Sequence, residues 1–192
     1  MTTEPRIPPL PPEERSDEVA AILDAGIGGT DHSLGSLNLF PTLARHPKLF
    51  RKWLPFGGYL LARGTLPARD RELLILRTSA RCKAAYEWSH HAVIARRAGV
   101  DQATIDRVLE GPDADGWSAH EAALMRAVDE LHDNAALTDT TWAALAEEYD
   151  QAQLIETTML VGEYHMVAFT LNACGVQLEE GSDPLPDWFV DD

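Results

Sequence analysis

An all-α chain of about eight or nine helices is what this sequence predicts. Three observations carry the prediction. Segment after segment places apolar residues at the three- and four-residue spacing of one helix face. Most of these segments open on a capping residue or a proline or close on a glycine. No run of period-two alternation is long enough to make a strand.

The first 15 residues hold Pro5, Pro8, Pro9, Pro11 and Pro12, which block helix and predict an extended arm. Ser16 caps a short helix reaching Gly26, and IGGTDHSLGS, residues 27–36, is a loop without a phosphate-cradling Lys-Ser/Thr ending. A short helix over 38–45 stops before Pro47. A longer one over 47–63, bearing Leu49, Trp53, Phe56, Leu60 and Leu61, is expected to kink at Pro55 and Gly57-Gly58. Pro67 starts a core helix over 69–81, and another follows over 84–98, closed by Gly99. Asp101 caps a short helix ended by Gly111. Ser118 and Glu121 form a capping box for a helix to Asn134. Thr138 starts one ending near Tyr149, and Asp150 caps the last, which stops at Gly175. The division is an arm over 1–15, one helical domain over 16–178 and a loose acidic tail over 179–192, with Trp188 and Phe189 able to dock.

Composition narrows the function. The chain has 192 residues, 45% hydrophobic, with 16 Lys and Arg against 31 Asp and Glu, a net charge of −15. Such a surface repels phosphate backbones, so no nucleic-acid partner is expected. No apolar run approaches the roughly 20 residues that span a bilayer. No basic segment followed by an apolar run opens the sequence, so no secretory leader is expected. The two cysteines, Cys82 and Cys174, make neither a disulfide framework nor a Cys-x-x-Cys pair. A soluble cytoplasmic protein is expected.

Reactive groups crowd Leu66 to Val100. Glu87 and His91, four apart, share a helix face with Ala84, Ile94, Ala95 and Ala98. They read either as a paired core contact or as an acid–base pair in an apolar setting, which suits proton transfer to a carbanion or enolate. His90 points about 100° away from His91. Its Glu-x-x-His spacing from Glu87 is half of a di-iron motif whose other half is missing, so no metal is expected there. Cys82 reads as a small core residue before a nucleophile. His165, in the apolar run from Met159 to Leu171, is either a second pocket wall or a core histidine. His120 and His132 read as exposed.

The stretch RDRELLILRTSARCKAAYEWSHHAVIARRAGV resembles the carboxymuconolactone decarboxylase family, which includes the alkylhydroperoxidase D proteins. Its peroxidase branch looks like Glu-x11-Cys-x2-Cys-x3-His. Here Glu72 stands at the Glu, Ala84 and Glu87 at the two Cys, and His91 at the His. Tyr86 stands where that branch often places another relay residue. With both cysteines replaced, Tyr-Glu-Trp and the following His are similar to the branch without redox cysteines. LVGEYHMVAFTLNACGVQLE also looks like that branch. The resemblance is plausible over about Phe40 to Leu178.

The resemblance implies an all-α, alkylhydroperoxidase D-like fold built on a helical hairpin. It also implies no organic cofactor, and homo-oligomers (dimer, trimer or hexamer) with pockets near subunit contacts. The expected function is a cofactor-independent acid–base enzyme, of decarboxylase or lyase type, on a small carboxylated or lactone-like substrate. His91 is the expected proton donor, Glu87 its orienting partner and Glu72 a relay. Tyr86, Arg77, His165, Cys82 and His90 complete the set as candidate substrate contacts, with a salt bridge the alternative role for Arg77. Two other readings stand beside it: a thiol-dependent peroxidase using Cys82, and a non-catalytic oligomeric ligand-binding protein.

Overall fold

One helix is buried along most of its length, and the others are laid around it. In the computed structural model, which describes residues 4–25 and 33–190, Glu72 to Ala80 are nine consecutive buried residues of α4 (Ala68–Arg81). A helix covered on all sides reads as near-continuous apolar sequence, and LLIL at 73–76 is its centre. Around it pack α5 (Ala85–Arg97), α6 (Gln102–Glu110), α7 (Ala119–Asn134) and α9 (Gln151–Cys174). The small helix α8 (Asp139–Ala146) bridges α7 and α9. Leu73, Leu74, Leu76, Leu124, Met125 and Leu160 are sealed in the shared core.

A second, smaller core lies at the N-terminal side. There α1 (Asp17–Leu23), α2 (Leu39–Ala44) and α3 (Pro47–Ala62) bury Val19, Leu23, Ala44 and Phe50. Nine α-helices and no β-strand longer than an isolated bridge at Ser33 are found among the described residues. The all-α expectation is met, with boundaries within two residues of those read from the caps for most helices. Ser16, Asp101, Ser118, Thr138 and Asp150 each cap as expected, and Ser118–Glu121 closes its capping box. The helix expected to reach Gly26 ends at Leu23, and Gly26 and residues 27–32 of the expected loop lie outside the described residues. At the expected kink, α3 continues as one helix through Pro55.

Two joints fix how α4 meets its neighbours. The buried carboxylate of Glu156, on α9, accepts from the backbone N–H groups of Thr65 and Leu66 and from the Thr65 hydroxyl just before α4 starts. Gly64 makes room for it, because a Cβ there would sit 2.0 Å from Glu156 Oε1. At the other end Lys83 takes a left-handed φ of 51°, which turns the chain from α4 into α5.

Arm and tail both dock on the helices. The N–H groups of Arg6 and Ile7 donate to Cys174 O, and that of Leu10 to Pro41 O. The tail was expected to be loose, with Trp188 and Phe189 able to dock. Both do: Phe189 is buried against Trp88 and Trp188 Nε1 donates to Ala80 O, while Asp191 and Asp192 lie outside the described residues. The tail's acidity hid, at Glu179, a working hydrogen-bond acceptor.

Candidate active site

Between α3, α5 and α9 lies a cavity of about 210 Å³, lined mainly by apolar side chains and by Trp53, Tyr86, Glu87, His90, His91, Glu163 and Tyr164. The hairpin α4–α5 supplies its chemistry. His91 is buried on α5, and its Nδ1 lies 2.8 Å from Glu72 Oε2 on α4. A carboxylate only accepts, so the imidazole donates from Nδ1. Arg71 Nε donates to the other Glu72 oxygen at 2.9 Å. Glu72 is fully buried, so both of its oxygens are occupied by cationic or polar donors. The His91 ring packs edge-on against Tyr164, with centroids 4.9 Å apart. Its Nε2 has no hydrogen-bond partner among the described residues and belongs to a ring that lines the cavity.

Glu87 was expected to orient His91. The structure gives that place to Glu72. One turn of α5 puts Glu87 and His91 on the same face, but the Glu87 Oε1 atom turns to the Ser79 hydroxyl on α4 at 2.9 Å. Its Oε2 is buried without a partner. Burial pushes the Glu87 carboxyl well above the usual carboxylate range. The Ser79 hydrogen bond opposes that rise, and the nearby Glu163 adds to it. Glu163 Oε1 accepts from Trp53 Nε1, and its Oε2 is likewise buried and unpartnered. Burial raises its pKa too, against the Trp53 hydrogen bond. Gly57 leaves the space this pair needs, since a Cβ there would lie 3.1 Å from Glu163 Oε1. Two carboxyl groups therefore face one cavity, each with a spare oxygen and each pushed toward the neutral acid.

That shift has a sign that can be measured. The neutral Glu87 acid is the form the fold accepts. Above the usual carboxylate range the unfolded chain ionises first, so the stability present at low pH is lost as pH rises toward the raised folded pKa. Glu87→Gln keeps the shape and does not ionise. Its melting temperature is expected to exceed that of the unaltered chain by a margin that grows from about pH 4 to about pH 8. Parallel melting curves at the two pH values check this; a pH-independent difference contradicts it.

Two of the lining residues, Tyr86 and His90, are held by Glu179 from behind the cavity wall. The Tyr86 hydroxyl donates to Glu179 Oε1 at 2.6 Å, and His90 Nε2 is 2.8 Å from Glu179 Oε2. Burial opposes ionisation of Glu179, but hydrogen bonds from His90, Tyr86 and the Asn38 N–H outweigh it and hold the carboxyl below its usual range. Tyr86 and His90 thus meet the cavity as walls tied to the tail.

Three of the expected substrate contacts lie elsewhere. Arg77 is buried in a two-pronged ion pair with Asp129, both bonds 2.8 Å, and donates to Val108 O. It leaves the cavity because its position on α4 faces α6 and α7. Cys82 caps α4 outside the cavity, and burial above all pushes its thiol up to about 12. His165 points away from Tyr164 and Glu163, with its Nδ1 donating to Val161 O at 2.8 Å. His132, read as exposed, is half-buried beside it.

Four residues of the site were not singled out from the sequence: Trp53, Glu163, Tyr164 and Glu179. For Glu163 a signal existed. It shares the buried stripe of α9 with Leu160, Val167 and Leu171, and an ionisable group on such a stripe is informative. Glu179 had none, being one acidic residue in an acidic tail.

Residues 47–130 match the model of the carboxymuconolactone decarboxylase family. No curated protein matches the chain by sequence. Among solved structures, an alkylhydroperoxidase AhpD core protein from Ralstonia eutropha, described as an uncharacterized peroxidase-related protein, superposes with a TM-score of 0.76 at 19% identity. That match covers 96% of this chain and 95% of the other. The debrominase Bmp8 in complex with 2,3,4-tribromopyrrole gives 0.75 at 19% identity, over 94% and 95%. A protein from Agrobacterium tumefaciens, described as a putative antioxidant defence protein AhpD, gives 0.65 at 19% identity, over 71% and 94%. The matched segment spans α3 to most of α7 and holds Glu72, Glu87 and His91. Over that segment the chain is similar to the carboxymuconolactone decarboxylase family, and it folds as an all-α alkylhydroperoxidase D-like protein.

Proposed function

We propose that this protein is a cofactor-independent acid–base enzyme of decarboxylase or lyase type, acting on a small, largely apolar lactone-like or singly carboxylated compound. One observation carries the reading: the Glu72–His91 pair presents a free imidazole nitrogen to an apolar cavity that also holds a carboxyl group driven toward its neutral form. Loss of CO2 leaves an electron pair that an adjacent carbonyl takes up as an enolate. The Glu87 acid donates a hydrogen bond to that oxygen, a role a carboxyl can fill only while protonated. His91, protonated, delivers its Nε2 proton to the carbon, and Glu72 holds the imidazolium in place. The proton is then restored from solvent.

Charge and size limit the substrate. Among the described residues no lysine or arginine lines the cavity, so none of them offers a guanidinium to clamp a substrate carboxylate. Glu87 and Glu163, both pushed toward the neutral acid by burial, carry less of the charge that would repel one. The volume lies below the ~300–1,000 Å³ of drug-sized sites, which suits one small ring. Release of CO2 across a panel of β-keto acids and lactone carboxylates, with halogenated pyrroles beside them, tests the reading. Turnover confined to the halogenated rings, or dependent on added thiol, contradicts it.

The enzyme acts as a homo-oligomer in this reading. Ile155, Met159, Met166 and Phe169 project from α9 into solvent at alternating four- and three-residue spacing, Gly162 among them. A Cβ at Gly162 would meet nothing within 4 Å, so another backbone can approach there. Such a stripe is the pattern of a helix–helix seam. Phe169→Glu is expected to lower the assembly to monomer in light scattering after size exclusion; an unchanged mass removes α9 from the interface.

A further inference from the structure

On the far side of α9 from the cavity, three metal-ligating side chains from three separate elements converge. They are Cys82 at the end of α4, His132 in the last turn of α7 and His165 in the middle of α9. One ligand atom of each lies within 4.8 Å of the other two. Cys82 Sγ is 4.0 Å from His132 Nδ1, which is 2.9 Å from His165 Nε2. We propose that this cluster is a binding site for a zinc-class divalent cation, held by the Cys82 thiolate, His132 Nδ1 and His165 Nε2.

The geometry is close to what such an ion imposes. Bonds of about 2.0–2.1 Å to nitrogen and about 2.3 Å to sulfur at tetrahedral angles place two nitrogens about 3.3 Å apart and sulfur about 3.6 Å from nitrogen. The sulfur–His132 and His132–His165 separations straddle those values, each differing by about 0.4 Å, and sulfur lies within 4.8 Å of His165 Nε2. All three residues are half-buried, so a fourth position remains open toward water. The donor set, two imidazoles and one thiolate, is the borderline-soft combination that selects zinc and its neighbours over magnesium or calcium.

The surroundings orient the ligands. His165 Nδ1–H is spent on Val161 O, which leaves Nε2 with its lone pair toward the cluster, the arrangement that commonly fixes a metal-binding histidine. Because His165 Nε2 then accepts, His132 Nδ1 is the donor in the 2.9 Å contact. For the two histidines, taking up the ion requires that His132 move its proton to its other nitrogen. Cys82 gives its thiol proton to solvent as the sulfur–metal bond forms, so one proton is released for each ion bound. The Cys82 carbonyl accepts from Asn172 Nδ2 at 2.8 Å, which ties the thiol-bearing turn to α9. The neighbouring Arg81 is paired with Asp133 and Asp129, so its charge is offset. The site is separate from the proton-transfer pair and does not depend on the proposed reaction.

Cobalt(II) is the probe, because its tetrahedral thiolate complexes absorb in both the visible and the near ultraviolet. Titrating the full chain with Co2+ is expected to raise visible d–d bands and a sulfur-to-cobalt charge-transfer band that saturate at one ion per chain. Zn2+ is then expected to bleach both. Cys82→Ser is expected to abolish the charge-transfer band. His165→Gln and His132→Gln are each expected to weaken binding by about tenfold or more. Cys174→Ser and His91→Ala are expected to leave the titration unchanged. Absence of a saturable band in the unaltered chain overturns the proposal. So does a charge-transfer band that survives Cys82→Ser or disappears with Cys174→Ser.

Discussion

Replacing His91 with alanine is expected to lower turnover by about 10²–10⁴-fold, the usual worth of a positioned general acid or base. Helix content and assembly should be retained. His91 is buried, but it meets the cavity on one side, so a truncated side chain leaves space that water can enter. Glu72→Gln is expected to fall in the same range for a different reason. The amide presents either an oxygen, which still accepts from Nδ1–H, or an NH2 group, which forces the opposite tautomer. In neither case does it offset the charge of an imidazolium. The two losses should not add, because Glu72 acts through His91. Steady-state rates for the single and double variants on the substrate found by CO2 release check this. A double variant no slower than His91→Ala is the expected result; multiplied losses would place Glu72 in an independent role.

Arg77→Ala is expected to give the largest loss of stability, about 3–5 kcal/mol, the range for breaking a buried ion pair from one side. Its guanidinium joins α4 to α7 through Asp129 and to α6 through Val108 O and Leu109 O. Only 7% of its side-chain surface is exposed, so little solvent screening offsets the loss. Alanine leaves the Asp129 carboxylate with only the longer contact to Arg81 at 3.6 Å and leaves the end of α6 without its donor. Denaturant unfolding measures the effect. If Arg77 held substrate, as one reading of the sequence allowed, the change would appear in KM instead. The structure predicts an unchanged KM at temperatures where the variant stays folded.

Much of the fold was legible because its signals are local. Ser118 with Glu121, Asp150, Pro67 and Gly175 announce helix ends by chemistry confined to a few residues. The apolar run at 73–76 likewise announced a buried helix. The site was legible only in part, for the opposite reason. Spacing along α5 put Glu87 and His91 on one face, but which carboxylate reaches His91 depends on how α4 crosses α5, and Glu72 is 19 residues away. Arg77 and His165 share helices with site residues and face away from the cavity by a fraction of a turn, a rotation set by packing. The Cys82–His132–His165 cluster spans three helices with no common spacing. Glu179 reaches Tyr86 and His90 in the cavity wall from a tail whose composition suggested only solvation.

The central claim is that His91 moves a proton to carbon. Turnover in D2O, with the product examined by proton NMR and mass spectrometry, tests it most directly. The account predicts one deuterium at the carbon that loses CO2, with incorporation and turnover falling together in His91→Ala and persisting in Cys82→Ser. Full deuterium incorporation at an undiminished rate in His91→Ala, or loss of turnover in Cys82→Ser with its helix content intact, would contradict it.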